Sequence, residues 1–313
     1  MFKKKNTSQS FMEYSILYHT IIPFVLSAFV VVLVTIIAER YGTKTGGVIG
    51  TLPSTIVIAF LFIALDKGTL FASESVTVVP AEMGINLVFL LLFTLLASRK
   101  ILVALTGSLL GWTVLTILLF YSNLTSIIVS LVLFVVFFLV TFTALDKIKK
   151  ITSQTIIEVH YTPLKLLSRS LIAGTVIAIA VSFSNVGVIL SGIFSVFPAI
   201  FLSTMLISMR EHGSQFAGAM AKGMIYGSPS VVSYAVGIYF LYPLAGILTG
   251  TIGAFLISLI VTLSLFLLRK NIRQEAKNVA EAKGKSNASS FQSIQPLHQP
   301  LERPLCPFHR RGI

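Results

Sequence analysis

Few residues in this chain could do chemistry, and those few are ionisable groups or prolines set in long apolar runs. Glu74, Glu82 and Lys222 lie away from obvious loops, with His19 near the start of the first run. Charge at bilayer depth costs about 2.5–3.5 kcal/mol on insertion scales, so it usually faces a cavity or a partner. Glu74 and Lys222 fall in equivalent short segments of two similar halves. There they could neutralise one another, or both could sit at the headgroup interface. Glu82 follows Pro80 at the expected start of a helix, where a carboxylate satisfies free N–H groups. Pro53 and Pro198 each interrupt an apolar run, removing a backbone donor and freeing a carbonyl, with a glycine about one turn upstream. Paired broken helices in corresponding halves point to the central site of a transporter. The plainer reading is a tolerated kink whose backbone is re-satisfied by neighbouring Ser and Thr. Ser54, Thr55, Asn86, Ser228 and Ser230 could line a polar path beside the prolines. Gly107/Gly111 and Gly246/Gly250 form GxxxG pairs, which predict close helix packing.

No enzyme signature accompanies these groups. There is no His/Glu cluster at metal-ligand spacing, no Asp-rich site for Mg²⁺-pyrophosphate, no Gly-x-Ser-x-Gly and no P-loop. We therefore expect no catalytic residue, no metal and no cofactor. Cys306 and His309 share the tail, but two ligands do not make a zinc site. The lone cysteine excludes an internal disulfide.

The elements that hold these residues are set by a shortage of charge. Only 11% of the 313 residues are charged, against 55% hydrophobic, with mean hydropathy +0.91. A soluble domain carries roughly 25% charged residues, so this chain could not cover a globule in water. Its charges bunch between apolar runs of about the length that spans a bilayer. Net charge is +13, but nine of the 24 Lys and Arg lie at or beyond Arg269. The basic balance fits lipid headgroups and no nucleic-acid face. The first run, about 16–38, is too long for a signal peptide and reads as a helix.

Hydropathy predicts nine spans: 16–38, 46–65, 80–98, 101–121, 124–145, 167–184, 190–209, 226–244 and 246–268. Residues 68–79 and 213–225 are too short to span and too apolar for ordinary loops. Each is either re-entrant or an extension of the following helix. With the N-terminus outside, the cytoplasmic loops collect Arg40, Lys44, Arg99, Lys100, Lys147, Lys149, Lys150, Lys165, Arg169 and Arg210, and the tail is also inside. Lys3, Lys4 and Lys5 run against the rule. A crossing by 68–79 would remove that conflict, but the repeat treats both short segments alike and favours nine spans.

A shift of 145 residues superposes 26–72 on 171–217 without a gap, with ten of 47 positions identical. Among them are Gly42/Gly187, Gly47/Gly192, Pro53/Pro198 and Gly68/Gly213, and Asp66-Lys67-Gly68 faces Glu211-His212-Gly213. Leu105-Thr106-Gly107 recurs as Leu248-Thr249-Gly250. Each copy holds four spans with one between them, so the copies are five crossings apart, an odd number that requires inversion. The charged loops of the first copy at Arg40/Lys44 and Arg99/Lys100 match uncharged stretches at 185–187 and 241–245, as opposite insertion demands.

The stretch Gly46-Gly47-Val48-Ile49-Gly50-Thr51-Leu52-Pro53-Ser54-Thr55, followed by Asp66-Lys67-Gly68, resembles the GlpM-like family of small bacterial inner-membrane proteins. The second copy is similar, with Ala199-Ile200 replacing Ser54-Thr55. That resemblance implies a fold and a location, and no reaction.

The expected architecture is all-α and polytopic: an N-terminal tail 1–15, membrane repeat 1 at 16–121, a linking transmembrane helix 124–145, a cytoplasmic loop 146–166, membrane repeat 2 at 167–268, and a basic, disordered tail 269–313. The expected location is the cell membrane, with the C-terminus cytoplasmic. The leading function is a secondary transporter or permease for a small solute or ion, working by alternating access between inverted repeats. The alternative is a non-transporting scaffold or accessory subunit. Partners are the lipid bilayer, a small solute or ion, and conceivably a second copy of the chain in a homo-oligomer.

Overall fold

The computed structural model describes residues 20–40, 53–148 and 162–292. Lys3–Lys5, His19, residues 41–52 with Gly42 and Gly47, residues 149–161, Cys306 and His309 lie outside them. The chain divides into two compact units, Met1–Phe266 and Leu267–Ile313. Within the second, the described residues are helical through Gln292, well beyond the few helical turns expected at the start of the tail.

Among the described residues every regular element is helical. Hydrocarbon offers no water to the backbone, and a helix satisfies its own N–H and C=O groups. In chain order these are α1 (Ile22–Arg40), α2 (Ser54–Lys67), α3 (Thr69–Ser75), α4 (Val79–Leu96), α5 (Ile101–Tyr121), α6 (Ile127–Ile148), α7 (Pro163–Ser182), α8 (Val188–Ser195) and α9 (Ala199–Gln292). The stretches Thr69–Leu96, Ile101–Tyr121, Ile127–Leu145, Pro163–Asn185 and Val188–Leu265 are long and apolar enough to cross a membrane. Leu110, Val114 and Leu118 of α5, with Val132, Val136 and Leu139 of α6, lie exposed on the outer surface. Water would penalise such a face and lipid does not. The chain is a helical membrane protein.

Both short segments extend the helix that follows. Residues Thr69–Leu96 are helical without interruption over 28 residues. Pro80 is accommodated inside this run by tightening the preceding turn to 3₁₀ geometry at Val76–Val78. The Ala81 N–H then finds the Ser130 hydroxyl of α6 at 2.8 Å. Thr77 Oγ1 donates to the Glu74 carbonyl at 2.7 Å. Glu82 therefore does not cap a helix end, as its place after Pro80 implied. At 1.5 Å per residue it lies about 20 Å from either end of the run.

Helix α9 is broken at Gly213 (φ 81°, ψ 179°) and Gly246 (φ 78°, ψ −175°), which gives segments 199–212, 214–245 and 247–292. Gly68 (φ 87°, ψ 168°) separates α2 from α3 in nearly the same conformation as Gly213, its match in the 145-residue shift. This region of backbone space is essentially restricted to glycine. Gly68→Ala should cost about 1–3 kcal/mol, read as a lowered melting temperature in detergent, although a methyl group there meets no neighbour within 4 Å. Gly246 likewise has open space around it, so its role is this backbone break and not helix packing. Its GxxxG partner Gly250 does pack closely, since a Cβ there would stand 2.6 Å from Tyr242 Cδ1. Gly107 and Gly111 of α5 press on Leu96 and Leu92, where a Cβ would stand 2.5 and 2.4 Å from the leucine methyls.

Helix α4 is enclosed between α5 and α6, and α1 lies along α7. One core cluster joins Leu90 and Phe93 of α4, Trp112 of α5, Phe134 of α6, Ile193 of α8 and Ile225 of α9. A second joins Phe60 and Ile63 of α2, Ile177 of α7, and Tyr234 and Ile238 of α9.

The two acid–base–glycine turns sit at opposite ends of α7. At its C-terminal end, Lys67 Nζ donates to Asn185 Oδ1 at 2.6 Å and Ser184 Oγ to Asp66 Oδ2 at 2.9 Å. At its N-terminal end, Lys165 forms an ion pair with Glu211. A helix of 20 residues is about 30 Å long, the thickness of a hydrocarbon core.

Candidate functional site

The two proline-led helices begin at one cavity of about 70 Å³. Proline at the head of a helix forfeits only a donor that has no intrahelical partner there, while its carbonyl starts the ladder. Val57 N–H donates to the Pro53 carbonyl at 3.1 Å and Leu202 N–H to that of Pro198 at 2.7 Å. Pro53, Thr55 and Ile56 line the cavity from α2, and Pro198, Ile200 and Phe201 from α9. Met83 and Asn86 add wall from α4, with Ser228 and Val231 from segment 214–245. These are five pairs 145 positions apart: 53 and 198, 55 and 200, 56 and 201, 83 and 228, 86 and 231. Positions matched by the 145-residue shift thus lie together around the space.

Asn86 ties the wall together. Its Nδ2 donates to the Val196 carbonyl at 2.7 Å, a group left over where the backbone breaks between α8 and α9. Its Oδ1 accepts from the Trp112 indole N–H at 2.9 Å. The Trp112 ring stands edge-on to Phe197, another wall residue, with centroids 4.9 Å apart. One turn back along α4, Glu82 is 0% exposed and accepts from Thr116 Oγ1 at 3.0 and 3.3 Å. Among the described residues no Lys, Arg or His forms an ion pair with it. Residues 82 and 86 of α4 thus meet 116 and 112 of the antiparallel α5, a two-rung polar ladder beside the cavity.

No family model, no curated protein and no solved structure matches this chain. What the site can do therefore rests on its own geometry. The ladder does not recur at the positions that the sequence shifts match to it. Gly111 packs on Leu92, and Gly237 packs on Ala254, where a Cβ would stand at 2.8 Å. This is the same contact with the small residue moved to the other helix, at shifts of 145 and 143 residues. In that register Glu82 and Asn86 become Gly227 and Val231, while Trp112 and Thr116 become Phe255 and Leu259. The scaffold packs with or without the polar groups.

Of the residues singled out in the sequence, Pro53, Thr55, Asn86, Pro198 and Ser228 are on the cavity wall and Glu82 is one turn behind it. Ser54, Glu74, Lys222 and Ser230 are elsewhere. Glu74 is exposed and Lys222 half-buried. Buried Ser230 offers its carbonyl to Ser258 Oγ at 2.8 Å, fastening 214–245 to the segment after Gly246. Trp112, Thr116 and the Val196 carbonyl were not foreseen. The only available signal was that the single tryptophan precedes a threonine by four residues, one helix face.

Proposed function

We propose that this protein is a secondary transporter or permease for a small solute or ion, with about nine transmembrane helices in two inverted four-helix repeats joined by α6. Each repeat would be a GlpM-like unit, and the pathway would run between them by alternating access. The observation that carries this is the cavity, walled by equivalent residues of both copies where both proline-led helices begin. Inversion is supported by the placing of Asp66-Lys67 and Glu211 at opposite ends of α7. The shared conformation of Gly68 and Gly213 supports the repeat itself. Excess Lys and Arg in the loops at Arg99–Lys100, Lys147–Lys150 and Arg210, and in the tail, orients the C-terminus to the cytoplasm of a cell membrane.

Cysteine accessibility tests this. In a Cys306→Ser background, Thr55→Cys and Ser228→Cys should each react with an impermeant maleimide applied from either side of sealed vesicles. Reaction from one side alone, or from neither, would favour the scaffold or accessory subunit instead.

A further inference from the structure

We infer that Glu82, one turn behind the cavity wall, is a proton-binding site, and that a proton is the ion coupled to movement of the two repeats. The second half rests on the transport reading; the first does not. An ionised carboxylate far from water needs a cation or several donors, and otherwise exists as the neutral acid. No described ion pair reaches Glu82, and its hydrogen-bonding neighbours are the Thr116 hydroxyl and the Trp112 indole N–H, which also serves Asn86. Among the described residues, α5 carries Tyr121 as its titratable residue, and that is exposed, while α8 carries none. The described side chains of α6 through Leu145 include no titratable group. Over 199–232, which shares the α4 core, the titratable residues are Arg210, Glu211, His212, Lys222 and Tyr226; Glu211 pairs with Lys165, and Tyr226 stands edge-on to Phe142 of α6.

A buried acid is also not needed to pack this helix pair. The second copy forms the same pair with glycine and leucine where the first has Glu82 and Thr116. What Glu82 adds is a proton one turn from Asn86, the residue that holds the break between α8 and α9 closed. Releasing the Val196 carbonyl from Asn86 would open a water route from the cavity along the ladder. The carboxyl proton then passes to water, its electron pair stays on the carboxylate, and Thr116 with the incoming water solvates the charge. Reclosure requires that a proton return. Opening and protonation are linked because each conformation binds the proton differently.

The test uses the full chain reconstituted in liposomes. Infrared spectra at neutral pH should contain a protonated-carboxyl band that Glu82→Gln removes and Glu74→Gln leaves. In Thr116→Val, which loses the hydroxyl donor, that band should shift in frequency, which gives a second reading should Glu82→Gln fold poorly. Dicyclohexylcarbodiimide, an apolar reagent for protonated carboxyls, should label Glu82 and do so several-fold more slowly as pH rises. For the coupling, the ratio of maleimide reaction from the two sides at Ser228→Cys should shift several-fold with pH and become flat when Glu82→Gln is added. A neutral-pH spectrum unchanged by Glu82→Gln overturns the proton site. A pH-independent ratio, with the band present, overturns the coupling and leaves both the buried acid and two-sided access standing. One-sided reaction with the band present sinks transport alone.

Discussion

Asn86→Leu should destabilise the protein more than any other single change at the cavity. Leucine removes both hydrogen bonds, leaving the buried Trp112 indole N–H without its amide acceptor and the half-buried Val196 carbonyl at the cavity wall without its donor. An orphaned buried polar group costs about 1–3 kcal/mol, and the loss of the Val196 contact adds to it. The melting temperature in detergent should fall accordingly, and the α8–α9 break should become accessible to protease. Trp112→Phe removes only one rung and should cost less. In the double variant the loss should be smaller than the sum, because both changes delete the same indole–amide bond. Additive losses would mean that the two side chains do not act as one unit.

Gly192→Ala is the second large effect, and its cause is purely steric. A Cβ on Gly192 would stand 2.1 Å from the Ser75 carbonyl oxygen and 2.6 Å from Val78 Cγ1. The first obstacle is backbone, in the tightened turn that lets Thr69–Leu96 continue past Pro80, so it cannot rotate aside. Overpacking costs about 1–3 kcal/mol where side chains can adjust, and this site lacks that relief. We expect loss of most folded protein in detergent, measured by size-exclusion recovery. Gly223→Ala is the control: nothing lies within 4 Å of that position inside a helix, and alanine is the better helix former by about 1 kcal/mol. If Gly223→Ala proves as harmful as Gly192→Ala, close approach of α8 to Ser75 is not the reason.

Membrane residence, helicity and the places where helices break could all be read along the chain. They depend on local hydropathy, on the donor that proline lacks and on the backbone freedom of glycine at 68 and 213. Pro53 and Pro198, singled out in the sequence, both stand on the wall of one cavity. Partnership is different in kind. Pro80 read as a helix start, yet the helix continues through it because Ser130, 50 residues on, satisfies the freed Ala81 N–H. That moved Glu82 from a helix end to the middle of the membrane run. Glu74 and Lys222 fall in register, but register fixes only where backbones are equivalent and not which side chains meet. Gly246 and Gly250 share a GxxxG motif, and only the backbone angle at Gly246 separates the hinge from the packing site. Composition determined the solvent this protein lives in, since transfer free energies sum over local residues. Tertiary structure decided which buried polar group has a partner and which has none, since a partner is a distant residue brought within 3 Å.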